Sequence, residues 1–516
     1  MKNKTKIINA LFVVGALIPF IYCFYYCAIF ELRHALNYDV PMYWAIGRGM
    51  LNGLRPYSDL YENKPLGIFI LSAISFLLTN DSLLCNIFSL ISLTFIAIVP
   101  TLIVLTKLRK EPLTFKLLIP LIISLLFGTL FMVYSEAHAC GFQVEPIGAA
   151  FSMLYILSVV KMQNTENKHQ LIVRTIITAI LIQLSVMMKE PFLLTAVTGA
   201  IFFIDSIKDF VKCIIIPGII GGIGYLITLA CFGVFKSYFT IYFSYMFDET
   251  GIGDYTALSR TKNILNIVEK ISRYSVAFLI ILGISILITL LGTYYYKKNS
   301  VKVFHILRIV ISILIISFTI GLGRNYFKHH YVFAIPVYCS YSVITSLTLY
   351  YFLKNKKITA IAVSSPFIVF LFILTFMLGT SNYDGDFTER YLTLKRDAEF
   401  VDKLLDFYGE DRYQYVGFNG DNRFYGFTKH SPLGPIFVQD SLNFYKTDNW
   451  FSREFLNQLN NTNIIIFETY NTPSINDKVA EILANDFTQE SPKQFDEKPD
   501  NFMYKIYYRN DWITSK

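Results

Sequence analysis

The residues best suited to chemistry gather in one polar stretch, "NYDVPMYWAIGRGMLNGLRPYSDLYENKPLGIFIL", residues 37 to 71, directly after an apolar run. Asp39 and Tyr43 are four residues apart, so a helix there presents both on one face. Arg48, Arg55, Tyr57, Asp59, Glu62 and Lys64 follow. A carboxylate beside several fixed cations can take a proton from a hydroxyl while the cations hold an anionic phosphate leaving group. Taken alone, the same charges are what any solvated extracellular loop carries.

Four later loops carry further candidates. "YSEAHACGFQVEP" adds Glu136, His138, Gln143 and Glu145. Glu145 stands just before Pro146 at the expected start of a span, where the helix dipole favours an acid and a cavity can receive it. It reads equally as a helix-terminal charge without a chemical role. Glu136 and His138 are conceivable divalent-metal ligands, but one histidine among scattered acids has no ligand spacing. "GLGRNYFKHHYVFAIP" crowds Arg324, Lys328, His329 and His330 at a membrane boundary with no acid among them. Positive charge on the outer side runs against the usual bias, so an anion should compensate it. A lipid phosphate fits, held in two-pronged fashion by Arg and as a point charge by Lys. Lys189 and Glu190 in "MMKEPF" read as a plain ion pair at a tight outer turn. The aromatic loop from Phe235 to Arg273 reads as an interfacial helix on the bilayer or as the wall of a groove for a polyprenyl tail.

These loops need spans to hold them. Of 516 residues 54% are hydrophobic and 16% aromatic, and the mean hydropathy is +0.45, the profile of a polytopic membrane protein. Spans are expected near 8–30, 82–106, 113–134, 146–160, 172–188, 190–205, 211–233, 275–296, 303–323, 331–353 and 358–379. The run 66–79 is short for a bilayer that needs roughly 20 residues, and is read as interfacial or re-entrant. The first run is too long for the apolar region of a signal peptide and lacks a small-residue cleavage site, so it is expected to stay as an anchor. The amino terminus and every second loop then hold the clustered lysines and arginines, which places them in the cytoplasm; residues 37 to 71 and everything past the last span lie outside. All seven cysteines precede residue 340 without paired metal-ligand spacing and read as buried thiols.

The formal charge of +8 conceals a split. Residues 1–380 hold 31 basic and 16 acidic residues, whereas residues 381–516 hold 15 and 22. A basic excess on cytoplasmic loops is a topology signal and says nothing about nucleic acid. In the tail the apolar runs shorten to strand length at 413–418, 434–439, 463–467 and 502–508, with helix-like stretches between. That alternation predicts a small α/β layer domain, read as a cap on the membrane part or as a reader of the acceptor. "GFNGDNRFYG" follows a strand, but its spacing is not a phosphate-cradling glycine fingerprint, and no nucleotide motif occurs.

Several of these residues together form a known pattern. Asp39 and Tyr43, then Gly53, Pro56, Tyr57 and Asp59, then Glu62, Lys64, Pro65 and Leu66 resemble the outer loop of the bacterial dolichyl-phosphate-mannose-protein mannosyltransferase-like family of GT-C membrane glycosyltransferases, which includes the aminoarabinose transferases. The segment through Arg324, His330, Tyr331 and Pro336 is similar to a later motif of that family. The resemblance covers roughly residues 8 to 380 in layout. It implies a sugar donor on a polyprenyl phosphate and transfer on the outer side of the membrane, with Asp39 as catalytic base or acceptor-orienting acid. Lys64 would neutralise the donor phosphate, and Glu145 would take the place of the second acidic motif. Arg55, Arg324, Lys328 and His330 are then further phosphate-binding candidates, and Tyr43, Tyr57, Asp59, Glu62 and Tyr331 position the substrate. Two departures stand out. Leu66 replaces a frequent proline, and Asn63 stands where the family often has an acid, with Glu62 one position earlier. A divalent metal bound through that acid is therefore unsupported, and the sequence requires no cofactor. No Trp-Trp-Asp segment occurs, which argues against an oligosaccharyltransferase.

The expected fold is mainly α, a polytopic transmembrane helical GT-C domain of about 11 spans plus interfacial helices over residues 1–380, followed by a small C-terminal α/β extracytoplasmic domain over residues 381–516. The expected function is transfer of a sugar from a polyprenyl-phosphate donor to an envelope glycan, lipid or protein acceptor at the outer side of the cytoplasmic membrane. A transporter or flippase of lipid-linked saccharide is the first rival, but would want ionisable residues within the spans and repeated halves. A surface-polysaccharide ligase or polymerase is the second, and only the basic cluster at 324–330 speaks for it.

Overall fold

The structure is a computed structural model that describes residues 2–32, 39–112, 114–139, 141–163, 165–244, 299–321, 328–355, 387–417, 422–435, 450–468, 473–489, 498–499 and 502–514, with a few isolated positions besides. The chain is mostly helical. Among the described residues seven helices are long and apolar enough to cross a membrane: Val13–Leu32 of α1 (Lys2–Leu32), Leu83–Lys107 (α4), Lys116–His138, Val144–Gln163, Lys168–Met188, Ile207–Cys231 and His329–Tyr351. Each coincides with an expected span. Leu307–Ile320 is a shorter apolar helix within the expected span 303–323, and the expected spans 275–296 and 358–379 lie almost entirely outside the described residues.

Two short helices differ in kind. Helix α3, Leu66–Thr79, has 14 residues, about 21 Å of rise, less than the hydrocarbon thickness, as expected for the run 66–79. The expected span 190–205 is a helix only over Phe192–Ile201. Pro191 sets its start, because a proline fits the first turn but interrupts the backbone bonds behind it, and the helix ends at Ile201 with Phe202 as its C-cap.

The chain folds as two compact units. One comprises Met1–Arg33, Asn86–Ile227 and Phe247–Asp384; the other comprises His34–Cys85, Thr228–Met246 and Gly385–Lys516. Within the first unit α5, Phe115–His138, and α6, Val144–Gln163, form the centre and are mostly buried, whereas α7, Lys168–Met188, is mostly exposed. Small residues let the inner helices approach. A Cβ on Gly128 would collide with the Ala97 carbonyl of the preceding span, and Ser152 with Ser185 (2.5 Å) and Ser158 with Thr178 (2.7 Å) join α6 to α7. Lipid cannot satisfy these hydroxyls, so the partner helix does.

The second unit holds helix α2, Val40–Leu51, helix α3 and a five-stranded mixed sheet. The strands are β1 Arg412–Val416, β2 Ser431–Pro432, β3 Ile464–Phe467, β4 Phe487–Thr488 and β5 Lys505–Arg509, in the order β2-β1-β3-β5-β4. β1 runs parallel to β2 and β3, and β5 antiparallel to β3 and β4. Three of the four expected strands coincide with β1, β3 and β5; of the fourth, 434–439, all but its first two residues lie outside the described ones. Val416, Ile465 and Phe467 of the sheet pack on Phe455, Leu459, Val479 and Leu483 of two amphipathic helices, a two-layer core that explains the alternation in the sequence.

Candidate functional site

In the second unit the polar loop folds its charges together. Asp39 is the N-cap of α2, and the Tyr43 hydroxyl, one turn on, donates to its Oδ2 at 3.3 Å. The expected shared face exists. Lys64 Nζ lies 3.4 Å from Asp39 Oδ2, 3.4 Å from Glu62 Oε1 and 2.8 Å from Asn63 Oδ1, with the Tyr43 ring centroid at 5.8 Å. The Asp39 side chain is 35% exposed, against 11% for Lys64 and 7% for Glu62, so Asp39 is the member that a ligand can reach. Burial pushes the Glu62 carboxyl up to about 7, with Asp39 adding to the rise and Lys64 opposing it. When Glu62 is neutral, one ammonium faces one carboxylate. When it ionises, the trio carries a net negative charge that repels an anionic ligand.

The loop between α2 and α3 is shaped to present Lys64. Tyr57 is fully buried with φ of 70°, a left-handed conformation that costs a side-chain-bearing residue about 1–3 kcal/mol. Its hydroxyl donates to the Lys64 carbonyl at 3.1 Å, and its ring packs on Tyr238 (5.7 Å), Tyr242 (5.2 Å) and Phe69 (6.3 Å). The strain is held by that aromatic cage. Asp59 accepts the Arg55 backbone N–H at 2.8 Å and returns its own N–H to the Arg55 carbonyl, so it builds the turn. Arg55 is exposed, its guanidinium beside the Gly233 backbone. Neither Arg55 nor Asp59 is brought to Lys64 by any described contact. Tyr238 and Tyr242 belong to the aromatic loop read as an interfacial helix or a groove wall; the described portion, Phe235–Phe243, is helical, with these two rings buried and Phe235, Phe239 and Phe243 exposed.

In the first unit a second acid–base group forms at the start of α6. Glu145 is 1% exposed in its side chain, and its Oε1 accepts from Lys189 Nζ at 2.7 Å, with His329 Nε2 at 3.9 Å. Lys189 stands over the Phe333 ring at 5.1 Å, His330 stacks on the same ring at 5.5 Å and meets His329 edge-on at 4.5 Å, and Tyr331 is buried. The sequence paired Lys189 with its neighbour Glu190; the structure also brings it to Glu145, 44 positions away. Arg324 lies outside the described residues, as does the side chain of Lys328. Glu136 is buried in this unit beside Glu31, whose Oε1 accepts from Ser89 Oγ (2.8 Å) and the Gly141 N–H (2.9 Å). Glu31 escaped the sequence reading because it is the next-to-last residue of a long apolar helix and pairs only through the fold.

Among the described residues no three His, Cys, Asp or Glu side chains gather closely enough to hold a metal ion. Between Asp39 and Glu62 the place of a cation is filled by the Lys64 ammonium, a donor set that does not suit a divalent metal. What the trio can do is accept a proton at Asp39 and offset negative charge at Lys64.

No family model matches the chain, and no curated protein is similar enough to be called a relative. Solved structures of the Archaeoglobus fulgidus oligosaccharyltransferase do align. Its crystal structure in complex with zinc and sulfate gives a TM-score of 0.46 at 13% identity over 83% of this chain and 64% of that one. The apo form gives 0.45 at 11% identity over 87% and 69%, and the form tethered by a disulfide to an acceptor peptide with the NVT sequon gives 0.47 at 12% over 88% and 69%. The chain thus spans about two thirds of the length of the protein it aligns with.

Proposed function

We propose that the chain is an integral membrane glycosyltransferase that moves a sugar from a polyprenyl-phosphate donor to an envelope glycan, lipid or protein acceptor on the outer side of the cytoplasmic membrane. The observation that carries this reading is the Asp39–Lys64–Glu62 trio, an accessible carboxylate within 3.4 Å of a mostly buried ammonium. In the step, an acceptor heteroatom attacks the anomeric carbon, the bond from that carbon to the phosphate oxygen breaks, and the acceptor proton passes to Asp39. Lys64 stabilises the phosphate as it leaves with added charge. One displacement with one base inverts the anomeric centre. Tyr43 orients Asp39 through its hydroxyl, and Tyr57 and Asp59 hold the loop that presents Lys64. Glu145, ion-paired to Lys189, is the second catalytic candidate, in the place of the family's second acidic motif, with Tyr331 and His330 in the same unit. Arg55, Arg324 and Lys328 remain candidate phosphate contacts.

The clustering of lysine and arginine supports a cytoplasmic amino terminus, with residues 37 to 71 and the domain 381–516 outside. The test is to incubate the purified protein in lipid with radiolabelled polyprenyl-phosphate sugars and an envelope extract. Label should move to an acceptor, and Asp39→Asn should abolish the transfer while leaving donor binding in place. Label crossing the bilayer still joined to its lipid, with none reaching an acceptor, would favour a flippase and overturn the proposal.

A further inference from the structure

The sequence offers Arg48 as one more cation of the catalytic loop, but its donors point elsewhere within the same unit. Nη1 donates to the Gly426 carbonyl at 2.7 Å and Nη2 to the Tyr425 carbonyl at 2.6 Å, and the guanidinium lies over the Phe76 ring at 4.9 Å. Burial pushes Arg48 down to about 10, so it stays charged at neutral pH. The turn it grips, Asn422–Gly426, lies flush on the first turn of α2. A Cβ on Gly426 would come within 2.5 Å of Pro41 Cβ and 2.9 Å of Pro41 Cα, and Phe427 meets the Trp44 ring edge-on at 6.1 Å. Behind the turn, Phe424 and Tyr425 are buried against Tyr415 of β1 and Tyr504, so the sheet core fixes its position. On its other side α2 is set against α3, where a Cβ on Gly47 would meet the Ala73 backbone nitrogen at 2.7 Å.

Helix α2 is therefore clamped along its length, and its N-cap is Asp39. We propose that Arg48 is a positioning residue: by tying α2 to the turn Asn422–Gly426 it sets the orientation of the Asp39 carboxylate toward Lys64, giving the C-terminal domain a direct part in building the site. The inference rests on the reading of Asp39 as the base. A two-pronged guanidinium suits the task because two parallel hydrogen bonds fix an angle, which the point charge of a lysine cannot do.

Two measurements test it, one of them independent of turnover. In the protein with Cys231→Ser, the exposed thiol among the described residues, Asp39→Cys places a new thiol beside Lys64. Its ionisation is followed by the pH dependence of alkylation. Lys64 should favour the thiolate, and adding Arg48→Ala or Gly426→Ala should shift the alkylation profile to higher pH; an unmoved profile overturns the inference whatever the protein catalyses. In the transfer assay Arg48→Ala should lower kcat by about a hundredfold, the size of a displacement near 1 Å, with the donor KM within about twofold, and should move the acid limb of the pH profile upward. Arg48→Lys should fall between. A variant that loses activity only in proportion to its folded fraction, at every pH alike, also overturns the inference. Failure of the base assignment is read separately, as retained turnover in Asp39→Asn.

Discussion

Each of the two units builds a lysine–carboxylate pair, and the two pairs are built differently. Asp39, at the start of α2, and Glu62, in the loop after that helix, each lie 3.4 Å from Lys64, and Asp39 is left 35% exposed. Glu145 and Lys189 come from opposite ends of two helices, close to 2.7 Å, and leave the acid 1% exposed. A loose pair at the edge of water can exchange its partner for a ligand at little cost. A tight pair in a dry place cannot, because either ion left alone has lost its hydration. The difference sets an accessible carboxylate, able to exchange its partner, against one whose ion pair also carries the packing around it.

The largest effects should separate these roles. Asp39→Asn should lower turnover by about 10²–10⁴-fold, the range for loss of a general base, with the thermal midpoint unchanged; turnover near the parent rate would break the comparison. Lys189→Met should instead cost about 3–5 kcal/mol of stability by stranding a buried carboxylate, read as a lower unfolding midpoint in detergent, and a second change, Glu145→Gln, should restore most of it. If Lys189→Met unfolds no earlier than Lys64→Met, the contrast in burial does not govern the energetics.

The next effect depends on pH. Glu62 has a folded value of about 7 against an ordinary 4.5. The folded state thus binds the proton more tightly than the unfolded one, and the stability that this adds is present in full below 4.5 and is lost as pH rises through about 7. Over the same window the trio gains negative charge. Donor kcat/KM should accordingly fall up to tenfold per unit above pH 7, and Glu62→Gln should flatten that limb; a limb that persists in Glu62→Gln assigns it to another group. The smallest effect concerns the support of Lys64. Tyr57→Phe removes the hydrogen bond to the Lys64 carbonyl but keeps the aromatic cage, and should cost about 1 kcal/mol in stability with a matching, modest loss of turnover. An unchanged midpoint and rate would mean that the cage alone holds the loop.

Legibility in the sequence followed the range of each interaction. Two short-range pairs of the polar group were readable, Asp39 with Tyr43 one helical turn apart and Glu62 with Lys64 two residues apart, whereas the meeting of Asp39 with Lys64 across α2 belongs to the fold. The seven long helices were readable from hydropathy, and the small sheet from strand-length apolar runs. Lys189 was assigned to Glu190 because adjacency was the only geometry available, whereas the fold brings it to Glu145. Arg48 read as one more cation of the loop until its partners, two carbonyls 377 and 378 positions away, were in view. The inward turn of Tyr238 and Tyr242 onto a strained Tyr57 had no signal at all, since aromatic residues suit an interface and a core equally.

By itself the sequence determined the helical, membrane-crossing character of the chain, the α/β tail and the loop that gathers an acid and a lysine. Each of these depends on hydropathy or on spacings of a few residues, quantities that survive in a linear string. Only the tertiary structure decided which charges meet and which stay dry, and which arginine grips a backbone instead of facing a ligand. Those outcomes depend on desolvation and on bond angles between segments hundreds of residues apart, and neither exists until the chain has folded.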